Sequence, residues 1–383
     1  MKHRIVVLGA GYSGVHTAGR LARRLQAADT EITLVNRDPD FIERVRLHQL
    51  AAGQELPPRP LRDVFAGTHV TLRAARVTEV DAARRVVTTD AGDLPYDTLV
   101  YALGSTVATP GAHVDHVGSR PAALRLRSRL AALSPGASVL VVGGGLTAIE
   151  AVTEIAESWP GLRVAIASRD EVGGRLGARA QRHLHAVLKR LGVTVHSGVS
   201  ITGVDESGAL LPDGRRIEAA VTVWTAGFAV HPLAAASGLE VAPNGQIIVD
   251  ATMRSVSHPD VYAVGDAALA AGPNDTTLRM SCASGIPMAW QAADAIAARL
   301  TGRPVPESPI RYYTQCISLG RHDGIIQLVT ADDRPKPTAV LGRPAARIKE
   351  MIAAGAAWSL GHPTLLLPTR RHQVTAPEPV THS

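Results

Sequence analysis

Aromatic residues are scarce in this chain, with three Phe, six Tyr and four Trp among 383 residues. Without a supply of rings there is no series of stacking platforms for single-stranded nucleic acid. Charge argues the same way. The 40 Lys and Arg exceed the 34 Asp and Glu by 6, but the arginines are dispersed among Ala and Leu and never form the like-charge run of a polybasic tail. No nucleic-acid partner is expected.

Cysteine is almost missing. Cys282 and Cys316 are too few for a disulfide framework and too far apart for a redox CxxC or a zinc knuckle, so no metal site is expected and a reducing compartment fits. No run of about 18 apolar residues exists, and MKHR leads straight into the strand-like IVVLG without a signal segment. A cytoplasmic protein is the expectation. What the chain does have is aliphatic: 45% hydrophobic residues, chiefly Ala, Val and Leu. Its length allows two or three domains, because single cores stop growing near about 250 residues.

Residues 4–8 (RIVVL) read as a strand, residues 12–27 carry apolar positions at helical spacing, and residues 31–35 (EITLV) read as the next strand. A helix joining two strands implies parallel pairing. The pattern returns with SVLVV at 138–142, a helix over 146–158 and RVAIA at 163–167. Ser119 and Pro121 open a helix ending near Leu133, preceded by the linker-like 106–118, and a helix over 177–191 stops at Gly192. A helix is expected over 286–300. RYYTQCISLG and GIIQLVT read as two strands of a hairpin, PAARIKEMIAAGAAW as an amphipathic helix, and QVTAPEPVTHS as a disordered tail. No repeat other than the strand–helix–strand unit is present.

Each unit has a glycine turn between strand and helix. In GAGYSG, Gly9 permits a tight turn, Gly11 lets a pyrophosphate approach the backbone, and Gly14 lets helix and strand pack closely; Tyr12 and Ser13 complete the turn. About 20 residues further on, where an acid usually holds the ribose, stands Asn36, followed by Arg37 and Asp38. Asn can still bond a hydroxyl. In the second turn Gly143, Gly145 and Ala148 fit GxGxxA, with Leu146 and Thr147 between. Ser168 and Arg169 occupy the place of its acid, and an Arg there favours a 2′-phosphate, so NADPH is expected over NADH. If Arg169 is only a solvated loop residue, either coenzyme serves.

YDTLVYALGS (96–105) and DVYAVGDAA (260–268) turn these motifs into a resemblance. With the two glycine turns and TAGF (225–228), the chain resembles the two-dinucleotide-binding flavoproteins of the pyridine nucleotide-disulfide oxidoreductase superfamily over about residues 1–300. It looks most like type II NADH dehydrogenases. The implied fold class is α/β, with two Rossmann-type dinucleotide-binding domains, the second inserted in the first, and a small C-terminal α+β region. FAD binding is implied for residues 1–108 and 227–300, NAD(P)H binding for 109–226, and a hairpin, helix and tail for 301–383. Besides the first turn, Asn36 and Arg37, the resemblance brings Val77, Ala102, Gly104, Gly227, Gly265, Asp266 and Pro287 to the flavin. Residues 37–53 hold no cysteine, so disulfide reduction is excluded as the main chemistry.

The implied activity is FAD-dependent NAD(P)H oxidation with electrons passed to a small-molecule acceptor. The quinone-site signature AQxAxQ of the type II enzymes falls on 286–291, where Ala289 and Gln291 match and Pro287 replaces the first Gln. Candidate catalytic residues are Glu150, Cys282 and Gln291. Glu150 either complements the helix dipole or points toward the nicotinamide. Cys282 either contacts the flavin ring or packs as a small hydrophobe. His48 and Gln49 could line the acceptor pocket, while Tyr312, Tyr313, Cys316 and Arg321 could cover the flavin or form a homodimer contact. The stripe Ile348, Met351, Ile352, Gly355 and Trp358, followed by HPTLLLPTRR, could lie on a membrane surface, although packing on its own domain is the expectation. Two other readings remain, a membrane-associated quinone reductase and a flavin-based redox sensor with little turnover.

Overall fold

The structure, a computed structural model, describes residues 1–306 and 309–375. The first sheet begins with β1 (His3–Leu8), in which Ile5, Val6, Val7 and Leu8 are all buried. Such a continuous apolar run suits a strand covered on both faces. Helix α1 (Tyr12–Arg24) crosses back to β2 (Thr30–Asn36), parallel to β1 with Ile5 opposite Ile32 and Val7 opposite Leu34. Short helix α2 (Leu47–Ala51) follows, then β3 (Val70–Ala74) beside β2 and β4 (Thr98–Tyr101) beside β1.

A second parallel sheet repeats the plan. Helix α3 (Arg120–Ala131) starts at Ser119, whose Oγ accepts from the Ala122 N–H, with Pro121 in the first turn. Next come β5 (Ser138–Val142), α4 (Leu146–Ser158), β6 (Arg163–Ser168), α5 (Ala178–Arg190), β7 (Thr194–Ser197) and β8 (Val221–Trp224). The strand order is β7-β6-β5-β8. Gly192, beyond α5, has φ +69°, the left-handed conformation that closes a helix. The chain then returns through β9 (Val261–Ala263), which pairs with β4 and completes the first sheet in the order β9-β4-β1-β2-β3.

Helix α6 (Cys282–Leu300) starts earlier than the sequence pattern indicates, at Cys282 rather than near Ile286. The Gly285 N–H donates to the Ser281 carbonyl at 2.9 Å, so a full turn closes ahead of Pro287 and the proline sits inside the helix. Proline's missing N–H then removes only the bond to Ala283. α6 lies across α1, and Asp294 accepts from Arg20 in two bonds of 2.8 and 2.7 Å while pairing with Arg24 at 3.0 Å.

The last part of the chain is an antiparallel sheet, β10 (Thr314–Ser318), β11 (Gly324–Val329) and β12 (Pro335–Leu341), covered by α7 (Arg343–Trp358). The hairpin is as the sequence reads; the third strand is not, because Pro335 and Pro337 argue against a strand. Both prolines are tolerated at a sheet edge, where an N–H is not required. Ile317, Leu319 and Ile325 share one apolar core with the second parallel sheet and with Leu47 and Leu50 of α2.

The orientation of α7 overturns an expectation. It packs inward through Ala345, Ala353 and Ala357, and its apolar stripe faces out, with Met351 65% and Trp358 47% exposed. Two ion pairs set this rotation, Lys349 with Glu150 and Glu350 with Arg46. Leu365, Leu366 and Leu367 are exposed beyond it, the first two at positive φ (50° and 61°). The tail lies outside the described residues from 376 onward. Among the described residues no helix is long and apolar enough to cross a membrane.

Removing the Asp294 carboxylate leaves two mostly buried guanidinium groups without their partner. Asp294→Ala is expected to destabilise the fold by about 2 kcal/mol, within the range for hydrogen bonds to charged groups. Urea unfolding followed by circular dichroism measures the loss.

Candidate functional site

The first glycine turn is built by contacts that leave no room for a side chain. Gly9 has φ +93°, and a β-carbon there would lie 2.5 Å from the Ala102 carbonyl oxygen. A β-carbon on Gly14 would lie 1.8 Å from the Gly9 oxygen. Gly11 is different. A β-carbon on it would meet nothing within 4 Å, and as the residue that opens α1 it has no side-chain cap, so the first N–H groups of the helix lack a capping side chain. Asn36 holds this turn in place: its Oδ1 accepts from the Ala10 N–H at 3.0 Å and its Nδ2 donates to the Asp38 carbonyl at 2.7 Å. The side chain taken from the sequence as a ribose ligand is therefore engaged with the protein's own backbone, while Arg37 beside it is exposed.

The second turn repeats the geometry on α4. Gly143 has φ +138°, and its β-carbon would lie 2.5 Å from Thr225 Oγ1, which itself donates to the Val142 carbonyl at 2.8 Å. Gly144 rests on Ser168, whose Oγ would be 2.2 Å from a β-carbon. Gly145, again without a cap, faces open space, with Leu146 and Thr147 in the first turn behind it. Arg169 is exposed at the end of β6, and its pairing with Asp170 is loose at 3.7 Å.

Three segments converge on the first turn. A β-carbon on Gly265 (φ +70°) would lie 2.6 Å from Ser13 Oγ, and one on Gly285 of α6 would lie 2.7 Å from the same atom. Asp266 accepts from Ser105 Oγ at 2.5 Å, and its carbonyl accepts from Gln246 Nε2 at 3.0 Å. Arg44 donates to the Ser105 carbonyl at 2.9 Å and lies over Gly104 (φ +69°). Gly227 (φ +77°) bonds Ala108 across the two strands that link the parallel sheets. Ala102 is bonded to the Leu8 carbonyl at 2.9 Å, whereas Val77 begins a strand of a small antiparallel sheet. Arg44 and Gln246 are not legible in the sequence, since neither belongs to a glycine motif.

Tyr12 is buried edge-on to Phe41 at 4.9 Å with no partner for its hydroxyl, and burial raises its pKa. Burial, with Asp266 acting in the same direction, pushes the Cys282 thiol up to about 12. Cys282 stays a thiol at neutral pH, against a core that it partly joins. Cys282 and Cys316 are both free.

Glu150 belongs to a polar cluster that ties α4 to the antiparallel sheet. Its Oε1 accepts from Lys349 Nζ at 2.6 Å and from the Ser318 N–H and Oγ at 3.1 Å each. Lys349 also donates to the Cys316 carbonyl at 2.9 Å, and His48 Nε2 lies 3.4 Å from Ser318 Oγ. Burial alone would raise the Glu150 pKa, but Lys349, His48 and the Ser318 N–H together hold it below the ordinary value. Burial keeps His48 neutral, with a pKa lowered to about 4. Gln291 is not part of this cluster, because its Nε2 donates to the Pro306 carbonyl at 3.1 Å, one turn beyond Pro287 on α6. Among the described residues no group of His, Cys, Asp or Glu is arranged to hold a metal.

Two uncapped helix N-termini, open at Gly11 and at Gly145 and packed tightly at the glycines before them, Gly9 in one and Gly143 and Gly144 in the other, and the unpartnered Tyr12 hydroxyl fit two dinucleotides. The fold and these turns define the class of two-dinucleotide-binding flavoproteins. Residues 3–297 match the profile of the family described as pyridine nucleotide-disulphide oxidoreductase, and the chain belongs to that family. A NADH dehydrogenase-like protein of Mycobacterium tuberculosis is 32% identical over 353 residues, covering 83% of this chain and 86% of its own. The type II NADH:quinone oxidoreductase of Staphylococcus saprophyticus is 26% identical over 399 residues, covering 94% and 96%. Among solved structures, the sulfide:quinone oxidoreductase of Aquifex aeolicus superposes with a TM-score of 0.81 at 17% identity, over 95% of this chain and 93% of that one. The protein is an oxidoreductase whose cofactors are FAD and a pyridine nucleotide.

The two kinds of glycine predict different failures. Gly14→Ala is expected to cost roughly 1–3 kcal/mol by overpacking, read from the thermal midpoint of the apoprotein. Gly11→Ala keeps that midpoint and loses flavin on gel filtration.

Proposed function

We propose that the protein oxidises NADPH, with NADH as the alternative donor, and passes the electrons through FAD to a quinone-type small molecule. The observation that carries this reading is the pair of open-glycine helix ends, one in each parallel sheet. Residues 1–108 and 227–300 hold FAD, residues 109–226 hold the pyridine nucleotide, and the segment from 301 closes the cleft. When bound, the cofactors supply the redox chemistry, a hydride from the nicotinamide and its acceptance by the flavin.

The chain's own residues bind and orient. The N–H groups at Gly11 to Gly14 and Gly145 to Ala148 meet the two pyrophosphates, and the start of α6 lays a second positive helix end beside the first. Gly104, Gly265 and Asp266 meet the flavin along its length, with Arg44 and Gln246 holding that cradle. Ser168 and Arg169 meet the nucleotide ribose. Glu150, paired with Lys349, is the group assigned to proton transfer to the acceptor, with His48 and Ser318 holding its geometry.

Anaerobic stopped-flow bleaching of the flavin by NADPH and NADH, run side by side, tests the donor. NADPH is expected to win by roughly tenfold, the factor one charge-assisted bond supplies. Arg169→Glu reverses the preference. Bleaching by neither coenzyme would remove the proposal.

A second reading, attachment to an anionic membrane surface, is favoured by the exposed Met351, Ile352, Trp358 and Leu365 to Leu367, with Arg370 and Arg371 following. On that reading the acceptor is drawn from lipid. Sedimentation with phosphatidylglycerol vesicles is the check, and binding is expected to fall in a Leu366→Ser, Leu367→Ser double variant. Equal sedimentation of both proteins rules out this face as the anchor.

A further inference from the structure

Glu150, Thr153, Glu154 and Glu157 stand at helical spacing on α4 and line one face of it. All four meet the segments that close over that face. Ser318 donates to Glu150, the Gly320 N–H donates to Thr153 Oγ1 at 3.1 Å, and the Arg321 N–H donates to the Glu157 carboxylate. Glu154 lies between these contacts and is 0% exposed. Its Oε1 accepts from the Gln54 amide, Arg321 Nη1 is 4.0 Å from the same oxygen, and its Oε2 has no partner.

A buried carboxylate with one oxygen unpaired is costly when ionised, and a proton on that oxygen removes most of the cost. The groups facing Glu154 are Arg321 from the β10–β11 turn, Glu150 and Glu157 from its own helix, and Gln54 from the segment after α2. Burial is the largest influence and the two glutamates add to it, while Arg321 and Gln54 oppose, leaving the carboxyl raised to about 7. One helical turn away Glu150 is held ionised by Lys349. A carboxyl that titrates near neutrality and a carboxylate therefore stand one helical turn apart, and the half-buried Glu157 leads from them toward solvent.

We propose that Glu154 is the proton reserve of the acceptor site, passing its proton to Glu150 and recovering it from solvent by way of Glu157 under the Gly320–Arg321 turn. The inference rests on the quinone-type acceptor proposed above. Each turnover oxidises one NAD(P)H to NAD(P)+ and adds two electrons and two protons to the acceptor. One proton travels with the hydride and the other comes from solvent. The relay carries the second across one turn of the helix, and a bridging water spans the gap at the unpartnered Glu154 Oε2: the Glu154 O–H bond breaks and, through that water, the Glu150 O–H bond forms, Glu150 gives this proton to the acceptor oxygen, and Glu154 takes a new proton from solvent by way of Glu157. Glu154 is a positioning residue in this scheme, acting through Glu150.

The sign of the pH linkage follows. A carboxyl raised from 4.5 to about 7 on folding binds its proton more tightly in the folded state. Its contribution to stability is full below about 4.5 and is lost as pH rises through about 7. Glu154→Gln abolishes that loss.

The test uses the full chain loaded with FAD, as wild type, Glu154→Gln and Glu154→Asp. Flavin reduction by NADPH and reoxidation by menadione are followed separately by stopped flow from about pH 5 to about pH 9. The same proteins are titrated by infrared difference spectroscopy in the protonated-carboxyl region. Glu154→Gln is expected to keep the reduction rate, to slow reoxidation by roughly tenfold or more at neutral pH, and to lose both the neutral inflection and the titrating carboxyl band. Glu154→Asp restores the inflection. Reoxidation of Glu154→Gln at the wild-type rate, or a wild-type spectrum without a neutral carboxyl band, overturns the relay. A wild-type flavin that NADPH reduces but menadione does not reoxidise overturns the acceptor reading, and the relay with it.

Discussion

Ser13 has no room for a β-carbon on either of two sides, and the arrangement around the first parallel sheet follows from that. Gly265 comes from the end of β9 and Gly285 from the first turn of α6, and both press their backbone against one hydroxyl of the first glycine turn. Backbone contact at this distance is open only to glycine. It brings the N-termini of α1 and α6 together, so two positive helix ends share one place. It also fixes β9 beside β4, which sets Asp266 within reach of Ser105 and Gln246. A methyl group at Gly265 would push β9 off the first turn, and one at Gly285 would push α6 off both.

The parallel sheets were readable in the sequence because local and global signals agree there: β-branched runs buried on both faces, glycine turns directly after them, and helices of the right length between. Ser119 with Pro121, and Gly192 with its left-handed backbone, mark helix ends by chemistry that acts within a few residues. What was not readable depends on contacts between distant residues. Nothing near Arg44 or Gln246 in sequence reveals that each supports a turn tens of residues away. The stripe of α7 has the period of a packed helix, yet its rotation is set by Lys349 reaching Glu150 and Glu350 reaching Arg46. Asn36 shows a different limit, since the sequence gives its place after the glycine turn but not that its side chain bonds the Ala10 N–H and the Asp38 carbonyl.

Two carboxyls one turn apart on α4 are shifted in opposite directions from the ordinary carboxylate range for reasons of surroundings alone. Glu150 has an ammonium, a main-chain N–H and a hydroxyl on one oxygen, which outweigh the loss of water. Glu154 has one amide, a guanidinium at longer range and two glutamates as neighbours, which do not. The sequence writes both as glutamate on an amphipathic helix. The difference arises only when the β10–β11 turn and α7 close over that helix, so the antiparallel sheet tunes the acid–base character of the helix face that it covers.

The alanines on the inner side of α7 have a last consequence. Ala345, Ala353 and Ala357 let the helix sit close to the sheet, and the two ion pairs set its angle, so Met351 and Ile352 on its outer side carry no packing duty. These two are thus free to change in size and polarity without disturbing the fold beneath, whereas Trp358 stacks on His362 at 4.0 Å. The molecule keeps a fixed interior for moving electrons beneath an outer face that the fold does not constrain.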